Sequence, residues 1–529
     1  MAVARKTEVG PVDGTPEKRM FWSIISDYDL KTGLCELVDN AIDLWTLGHQ
    51  RRSLVVTITL DPARQLIVVK DNAGGVQHEE LRLLIAPGGS RNDPNAVIIG
   101  IFGVGGKRAS IALGEHVEIK TRYKKQETYQ LDITKDWLET DEWEIPAYTI
   151  PNISPGTTTV EISQLRKPFT QEHVDEMITH LGETYAWFLH QNCAITINQT
   201  PVVPKDFDHW AYPAGYPPGK TAFDITLGTD TVHADITAGL ITDRDPEQEN
   251  YGVYVYCNRR LIVKDLKNRD VGYYVTSEAG VPHPDASLCR AIVHLDGPAK
   301  LMPWNSSKSA INAGHEVFQR LRPALIPLVS YYSSLSRRTK HEWDTKVTPH
   351  TTGTIEQLAA ATVAPGRRLN LPELPRVNKP KVEHLKARNK KILKDNPWTL
   401  GLIEGIAAVD IITRQRLDTK NRIALILLDS NFEIGLKEFM VHRIDLFPPH
   451  IYNDAKIAQL FKNRQDVINE VTNKVSIAAT LIAKARHYYA LRNKLIHERA
   501  TVGITDNDVD NYRTTIQKVL RILFDLKFT

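Results

Sequence analysis

One short stretch concentrates residues that could do chemistry. In Leu34-Cys-Glu-Leu-Val-Asp-Asn-Ala-Ile-Asp-Leu44, Glu36, Asn40 and Asp43 are spaced three and four apart. At 100° per residue a helix brings them within about 60° of one another. One face then carries two carboxylates and a carboxamide, while Leu37, Val38, Ala41 and Ile42 supply the buried sides. Acid and amide oxygens suit a Mg²⁺ that keeps several waters and binds phosphates. A lone Glu beside it could draw a proton from an attacking water. Read alone, the same spacing also fits an amphipathic helix with a polar face.

Three further motifs follow. Val69-Lys-Asp-Asn-Ala-Gly-Gly-Val76 ends a strand at Asp71, and its two glycines let the chain turn tightly against a ligand. A buried Asp there can accept a hydrogen bond from an exocyclic amine. Gly100-Ile-Phe-Gly-Val-Gly-Gly-Lys-Arg-Ala-Ser110 is glycine-rich and runs into a helix, so backbone N–H groups are offered to phosphate oxygens. It is not a Walker A loop, because Ile101 stands where that motif needs Gly and Arg108 where it needs Ser or Thr. Nor does it sit in a first βαβ unit, as a Rossmann fingerprint does. The last motif is Pro155-Gly-Thr-Thr-Thr-Val-Glu-Ile162, a turn entering a strand.

Taken in order, Glu-x-x-x-Asn, Asp-x-x-Gly-Gly, Gly-x-x-Gly-x-Gly and Gly-Thr span about 125 residues. The set resembles the Bergerat-fold (GHKL) ATPases: gyrase B, the ninety-kilodalton heat-shock chaperones, histidine kinases and the MutL proteins. It is most similar to the microrchidia type, through Glu-Leu-Val-Asp-Asn-Ala-Ile-Asp and Ile-Gly-Ile-Phe-Gly-Val-Gly-Gly-Lys. Histidine kinases fit less well, since Glu36 is present and no receiver or sensor pattern occurs. The resemblance implies ATP and Mg²⁺ as cofactors and an α/β sandwich. Glu36 would be the general base and Asn40 the Mg²⁺ ligand. Asp71 would read the adenine amine, with Thr157 supporting it through water. Asp43, Gly75, Gly100, Gly103, Val104, Gly105 and Gly106 would belong to the nucleotide pocket and its lid, and Lys107 would contact phosphate. One departure stands out. Ala73 occupies a position where the family commonly has glycine, so the local backbone could differ there.

These residues need elements to hold them. Leu54-Val-Val-Thr-Ile-Thr-Leu60 and Leu66-Ile-Val-Val-Lys70 read as strands, and helices alternate with strands from about 20 to 200. From about 200 to 335 the chain is rich in Tyr, Val, Thr and Ile. Gly252 to Val263 reads as a hairpin turning at Asn258-Arg259, and Gln319 to Ser334 as a helix. The resemblance makes this region a transducer domain, which sends one lysine to the γ-phosphate. Lys308, in a turn before a helix, is the candidate, with Lys264 the alternative.

Residues 346–395 read as a basic linker, with ten Lys/Arg against three acids between Gly366 and Asp395. Such a strip is either a solvated connector or a phosphate-contacting surface. Beyond it, apolar positions recur every three or four residues. They predict four or five helices, broken near Asp418, Pro448-Pro449, Asn473 and Gly503. Near the end, Arg492-Asn493 precedes His497. That pattern is similar to the HEPN superfamily, whose helical bundles separate Arg and His by four to six residues, with a polar residue after the Arg. There it implies metal-independent RNA cleavage. Arg492 would hold the scissile phosphate, His497 would move a proton, and Asn493 would orient one of them. The same residues also fit cations welcomed by a helix C-terminus.

The expected fold class is therefore α+β. A Bergerat ATPase domain (1–200) and an α+β transducer domain (201–345) precede the basic linker (346–395) and an all-α HEPN-like bundle (396–529). The expected function is an ATP-controlled ribonuclease acting in antiphage defence or abortive infection. That role implies an RNA substrate, a homodimer and a neighbouring defence protein as partners. The alternatives are a DNA-clamping ATPase contacting DNA through the basic strip, with a non-catalytic dimerisation bundle, and a chaperone-like ATPase. Length and composition agree: 529 residues suggest three or four domains. Charged residues are 24% and the formal charge only +3, which argues against a histone-like coat and an acidic disordered chain. Cys35, Cys193, Cys257 and Cys289 form no CxxC pair, so neither a disulfide framework nor a zinc finger is expected. No signal peptide or 18-residue apolar run is seen, so the expected location is cytoplasmic, with no membrane partner.

Overall fold

The computed structural model describes residues 10, 18, 28–48, 50, 52–86, 88–89, 92–100, 105–358, 371–375, 381–415, 417–497 and 503–528. The chain divides into two compact units, Met1–Arg376 and Val377–Thr529.

The first unit contains two eight-stranded sheets. The first has the order β5-β4-β3-β6-β2-β1-β7-β8, from β1 (Leu54–Asp61), β2 (Leu66–Asp71), β3 (Gly114–Arg122), β4 (Thr128–Ile133), β5 (Ala147–Ile150), β6 (Thr157–Leu165), β7 (Cys193–Ile197) and β8 (Thr200–Pro201). The β1–β7 pair is parallel and the other pairs are antiparallel. Alternation in Leu54-Val-Val-Thr-Ile-Thr-Leu60 puts Leu54, Val56, Ile58 and Leu60 inside. Helices α1 (Leu30–Leu47), α2 (Gly105–Leu113) and α3 (Gln171–Thr184) contribute residues to the same core. A capping box starts α1, in which Asp29 accepts from Thr32 N at 2.8 Å. Gly33 lets α2 approach, because a Cβ there would lie 2.8 Å from Leu113 Cδ1.

The second sheet has the order β13-β12-β14-β11-β10-β16, with β9 (Trp210–Tyr212) joining β11 and β15. Its other members are β10 (Gly219–Leu227), β11 (Asp230–Ile241), β12 (Gly252–Cys257), β13 (Arg260–Leu266), β14 (Cys289–Asp296), β15 (Thr348–Pro349) and β16 (Glu356–Gln357). The β12–β13 hairpin turns where its sequence indicates, with Asn258 and Arg259 left-handed at φ of +46° and +70°. Helix α4 (Glu316–Thr339), longer than expected, packs Phe318, Leu321, Leu325 and Leu328 into this sheet's core.

The second unit is helical among the described residues. Its longer helices are α5 (Leu400–Thr413), α6 (Lys420–His442), α7 (Arg464–Lys474), α8 (Ala479–His497) and α9 (Asp506–Phe524). Three of the expected breaks, at Asp418, Pro448-Pro449 and Gly503, fall between helices, whereas Asn473 lies in the last turn of α7, which runs on to Lys474. One further break at 461–463 separates α7 from a short helix, Asp454–Leu460.

The basic linker is a correction. Its described residues are built into the two units. Leu358, Leu371 and Leu374 pack on the second sheet's core, while Leu385 lies in the helical core. Lys381 pairs with Asp410 at 2.6 Å and Lys386 with Glu404 at 2.9 Å, so part of the strip's charge is spent on folding. Arg367, Arg368, Arg376 and Lys379 lie outside the described residues. All four cysteines are free and buried. No described helix is long and apolar enough to cross a membrane.

Candidate active site

A cavity of about 240 Å³ opens between α1 and the first sheet, with room for an organic ligand rather than water alone. Glu36, Asn40 and Asp43 line it from α1, Asp71 from the end of β2, and Gly100, Gly105, Gly106 and Lys107 from the glycine-rich segment. Lys308 reaches in from the turn that follows β14. Residues from four separated motifs therefore converge on one pocket.

Two glycines form a cradle. A Cβ on Gly105 would lie 1.9 Å from Glu36 Oε2, and one on Gly106 would lie 2.1 Å from Asn40 Nδ2. Backbone at the start of α2 can thus approach the acid–amide face only without side chains. A helix N-terminus offers backbone N–H groups and a partial positive charge, which suit phosphate oxygens. Asn40 is exposed to the pocket, leaving its carbonyl open to a hydrated cation. These features fit a nucleotide with Mg²⁺.

The acids differ in environment. Asp43 accepts from Ile99 N at 2.8 Å and Gly100 N at 2.6 Å, so it shapes the chain entering the glycine-rich segment. Burial pushes its carboxyl up to about 7 despite those bonds. Asp71 accepts from Ala73 N at 2.8 Å, and burial raises it to about 7 as well. Glu36 is 2% exposed and lies 2.6 Å from Lys308 Nζ. Burial raises its carboxyl, with Lys308 opposing. Burial also works against the Lys308 ammonium, but Glu36 and Asp39 outweigh it and hold that pKa above the ordinary lysine value.

Behind Glu36 lies a network that sequence reasoning missed. Asp39, 1% exposed, accepts from Tyr185 OH at 2.7 Å and Arg260 Nε at 2.9 Å. Lys308 Nζ stands 3.3 Å from its other oxygen. Asp39 stands about 100° around α1 from Asn40, at the edge of the face that carries Glu36 and Asp43, and its partners come from distant segments. Arg260 lies 221 residues away, and no local signal announces it.

Lys264, the alternative lysine, bonds Glu183 at 2.5 Å outside the pocket. Lys107 spans the rim by donating to Ala86 O at 2.7 Å and Gly89 O at 2.6 Å, and burial lowers its pKa to about 8. Gly75 does not line the cavity. It turns the chain at φ +71°, where a Cβ would meet Arg122 O at 2.1 Å, and Val76 forms the wall instead. Ala73 causes no strain, because the left-handed positions fall on Gly74 and Gly75. Thr157 is a correction. Strand alternation buries it away from the cavity, and Thr158 is the residue paired with Asp71 and facing in. Gly103 and Val104 lie outside the described residues.

Residues 28–167 match the family model of histidine kinase-, DNA gyrase B-, and HSP90-like ATPases. This region is a GHKL-type ATPase domain. No curated protein matches the chain. The matched span contains Glu36, Asn40, Asp71 and the glycine cradle, whereas Lys308 and Arg260 lie outside it.

In the helical unit, Arg492 and Asn493 sit near the end of α8, with Arg492 Nη1 donating to Asn493 Oδ1 at 3.0 Å. His497 is the last residue of α8, and its side chain lies outside the described residues. Arg492 Nε is 3.7 Å from Asp429, a carboxylate 1% exposed. Arg464 Nη1 and Tyr512 OH also bond Asp429, at 2.8 and 2.7 Å. Arg464 lies over the Tyr489 ring at 4.1 Å.

Proposed function

We propose that this protein is an ATP-hydrolysing switch whose active site is completed by Lys308. The observation that carries the reading is the 2.6 Å contact of Lys308 with Glu36 inside the GHKL pocket. ATP would supply the γ-phosphoryl group that passes to water. Glu36 takes the proton of that water. Asn40 would hold Mg²⁺, which neutralises phosphate charge when bound. Asp71 accepts the adenine amine, and Thr158 is the threonine beside it. The N–H groups of Gly105 and Gly106 face phosphate oxygens. Lys308 supplies positive charge at the phosphate end, and its transfer from Glu36 to phosphate leaves that carboxylate basic. Replacing Lys308 with Ala should lower turnover about a hundredfold or more, the scale of one transition-state charge contact. Unchanged turnover would remove the lysine from the mechanism.

The output we propose is metal-independent RNA cleavage by the helical unit, in a homodimer serving antiphage defence. Support comes from the Arg-Asn-x-x-x-His pattern at the end of α8 in a helical bundle. His497 would move the proton, with Arg492 on the phosphate and Asn493 orienting it. A second reading, a bundle that binds or dimerises without catalysis, is favoured by the hold of Asp429 on Arg492. Total RNA incubated with wild type and His497→Ala, with and without ATP, separates the two. Cleavage lost in the variant supports the nuclease, and no cleavage by wild type in either nucleotide state supports the binding bundle.

A further inference from the structure

The β12–β13 turn reaches three parts of the ATPase site at once. Asn258 Nδ2 donates to Ile98 O at 2.7 Å, gripping the segment whose next amides end on Asp43. Arg260 Nε donates to Asp39, one turn along α1 from Glu36. Arg260 Nη1 donates to the carbonyl of Lys308 at 2.9 Å. Lys308 has φ of +51°, a conformation that a non-glycine residue keeps only when its surroundings impose it.

Charge counting gives Arg260 its meaning. Glu36 and Asp39 are two buried carboxylates, and Lys308 and Arg260 are the two buried cations that face them. Without Arg260, one lysine would serve both acids. Asp39 would then compete with Glu36 and with phosphate for the same ammonium. Arg260 itself does not line the cavity.

We propose that Arg260 is a positioning residue for the ATPase reaction. It neutralises Asp39 and holds the Lys308 carbonyl, and so keeps the Lys308 ammonium aimed at Glu36 and the phosphate end of the pocket. Strand β13 thereby becomes the element through which the second sheet sets the catalytic state. This rests on the ATPase reading of the pocket.

The test uses the full chain with Arg260→Lys, Arg260→Met and the double variant Asp39→Asn/Arg260→Met. Readouts are kcat and KM for ATP, the pH profile of kcat, and the thermal midpoint. Both single variants should lose kcat by about tenfold or more while KM stays within about threefold, because Asp71 binds at the far end of the pocket. The acid limb of the pH profile should move up as Lys308 shifts to Asp39 and leaves Glu36 unpaired. The double variant should recover part of kcat, since the competing carboxylate is gone. A purely structural arginine would not be rescued by removing its partner. Wild-type kcat in Arg260→Lys, or a double variant no better than Arg260→Met, overturns the positioning role. Should Arg260→Met not fold, Arg260→Lys and the double variant decide by kcat against wild type. A wild type that hydrolyses no ATP overturns the pocket reading as well, whereas an active wild type with unaffected variants sinks the positioning role alone.

Discussion

Glu36 and Lys308 neutralise each other across 2.6 Å, so in the proposed reaction the base is masked until the lysine finds another anion. Asp71 carries a second consequence. Its carboxyl sits at about 7 in the folded chain against an ordinary 3.8, so the folded pocket holds a proton that the unfolded chain releases. Its contribution to stability is present below about pH 4 and is lost as pH rises through 7. Nucleotide binding runs the other way, since an amine donor favours the ionised acceptor. ATP affinity should weaken several-fold, up to about tenfold, from pH 7.5 to pH 6. Calorimetry at the two pH values checks this, and Asp71→Asn should flatten most of the dependence. In the helical unit, Asp429→Ala would strand Arg464 and Arg492. Removing one partner of a buried ion pair costs about 3–5 kcal/mol, which urea unfolding of the variant should show.

At the scale of elements, the start of α2 is the tightest fit to α1. Gly105→Ala would drive a Cβ into Glu36, so turnover should fall sharply and stability by about 1–3 kcal/mol. Normal turnover in a folded Gly105→Ala would contradict the cradle. Much of this was legible in the sequence. The spacing of Glu36, Asn40 and Asp43 marked α1, the β12–β13 hairpin announced its turn, and apolar periodicity with its interruptions marked the C-terminal helices. The rest depended on pairings no local pattern encodes. Register on β6 decides between Thr157 and Thr158, which a Gly-Thr pattern cannot do. The basic strip read as a connector or a phosphate-contacting surface because the partners of Lys381 and Lys386, Asp410 and Glu404, are brought to it only by the folding of α5. Asp39, Tyr185 and Arg260 meet only once the two sheets are assembled.

On the scale of the whole molecule, the two units have separate cores. The helical one is closed by Leu402, Leu428, Phe432, Tyr512 and Val519 among others. Expressed alone, residues 377–529 should therefore unfold cooperatively with helical circular dichroism, and a non-cooperative melt would count against an independent unit. Nucleotide should stabilise only the first unit, by about 2.7 kcal/mol at a hundredfold excess over Kd, with the isolated helical unit unaffected. The most direct test of the central claim is steady-state ATP turnover by the full chain beside Glu36→Ala. Wild type should hydrolyse ATP, and Glu36→Ala should bind it but turn over at least a hundredfold more slowly, about 2.7 kcal/mol in the barrier. Equal turnover by the two would contradict that claim.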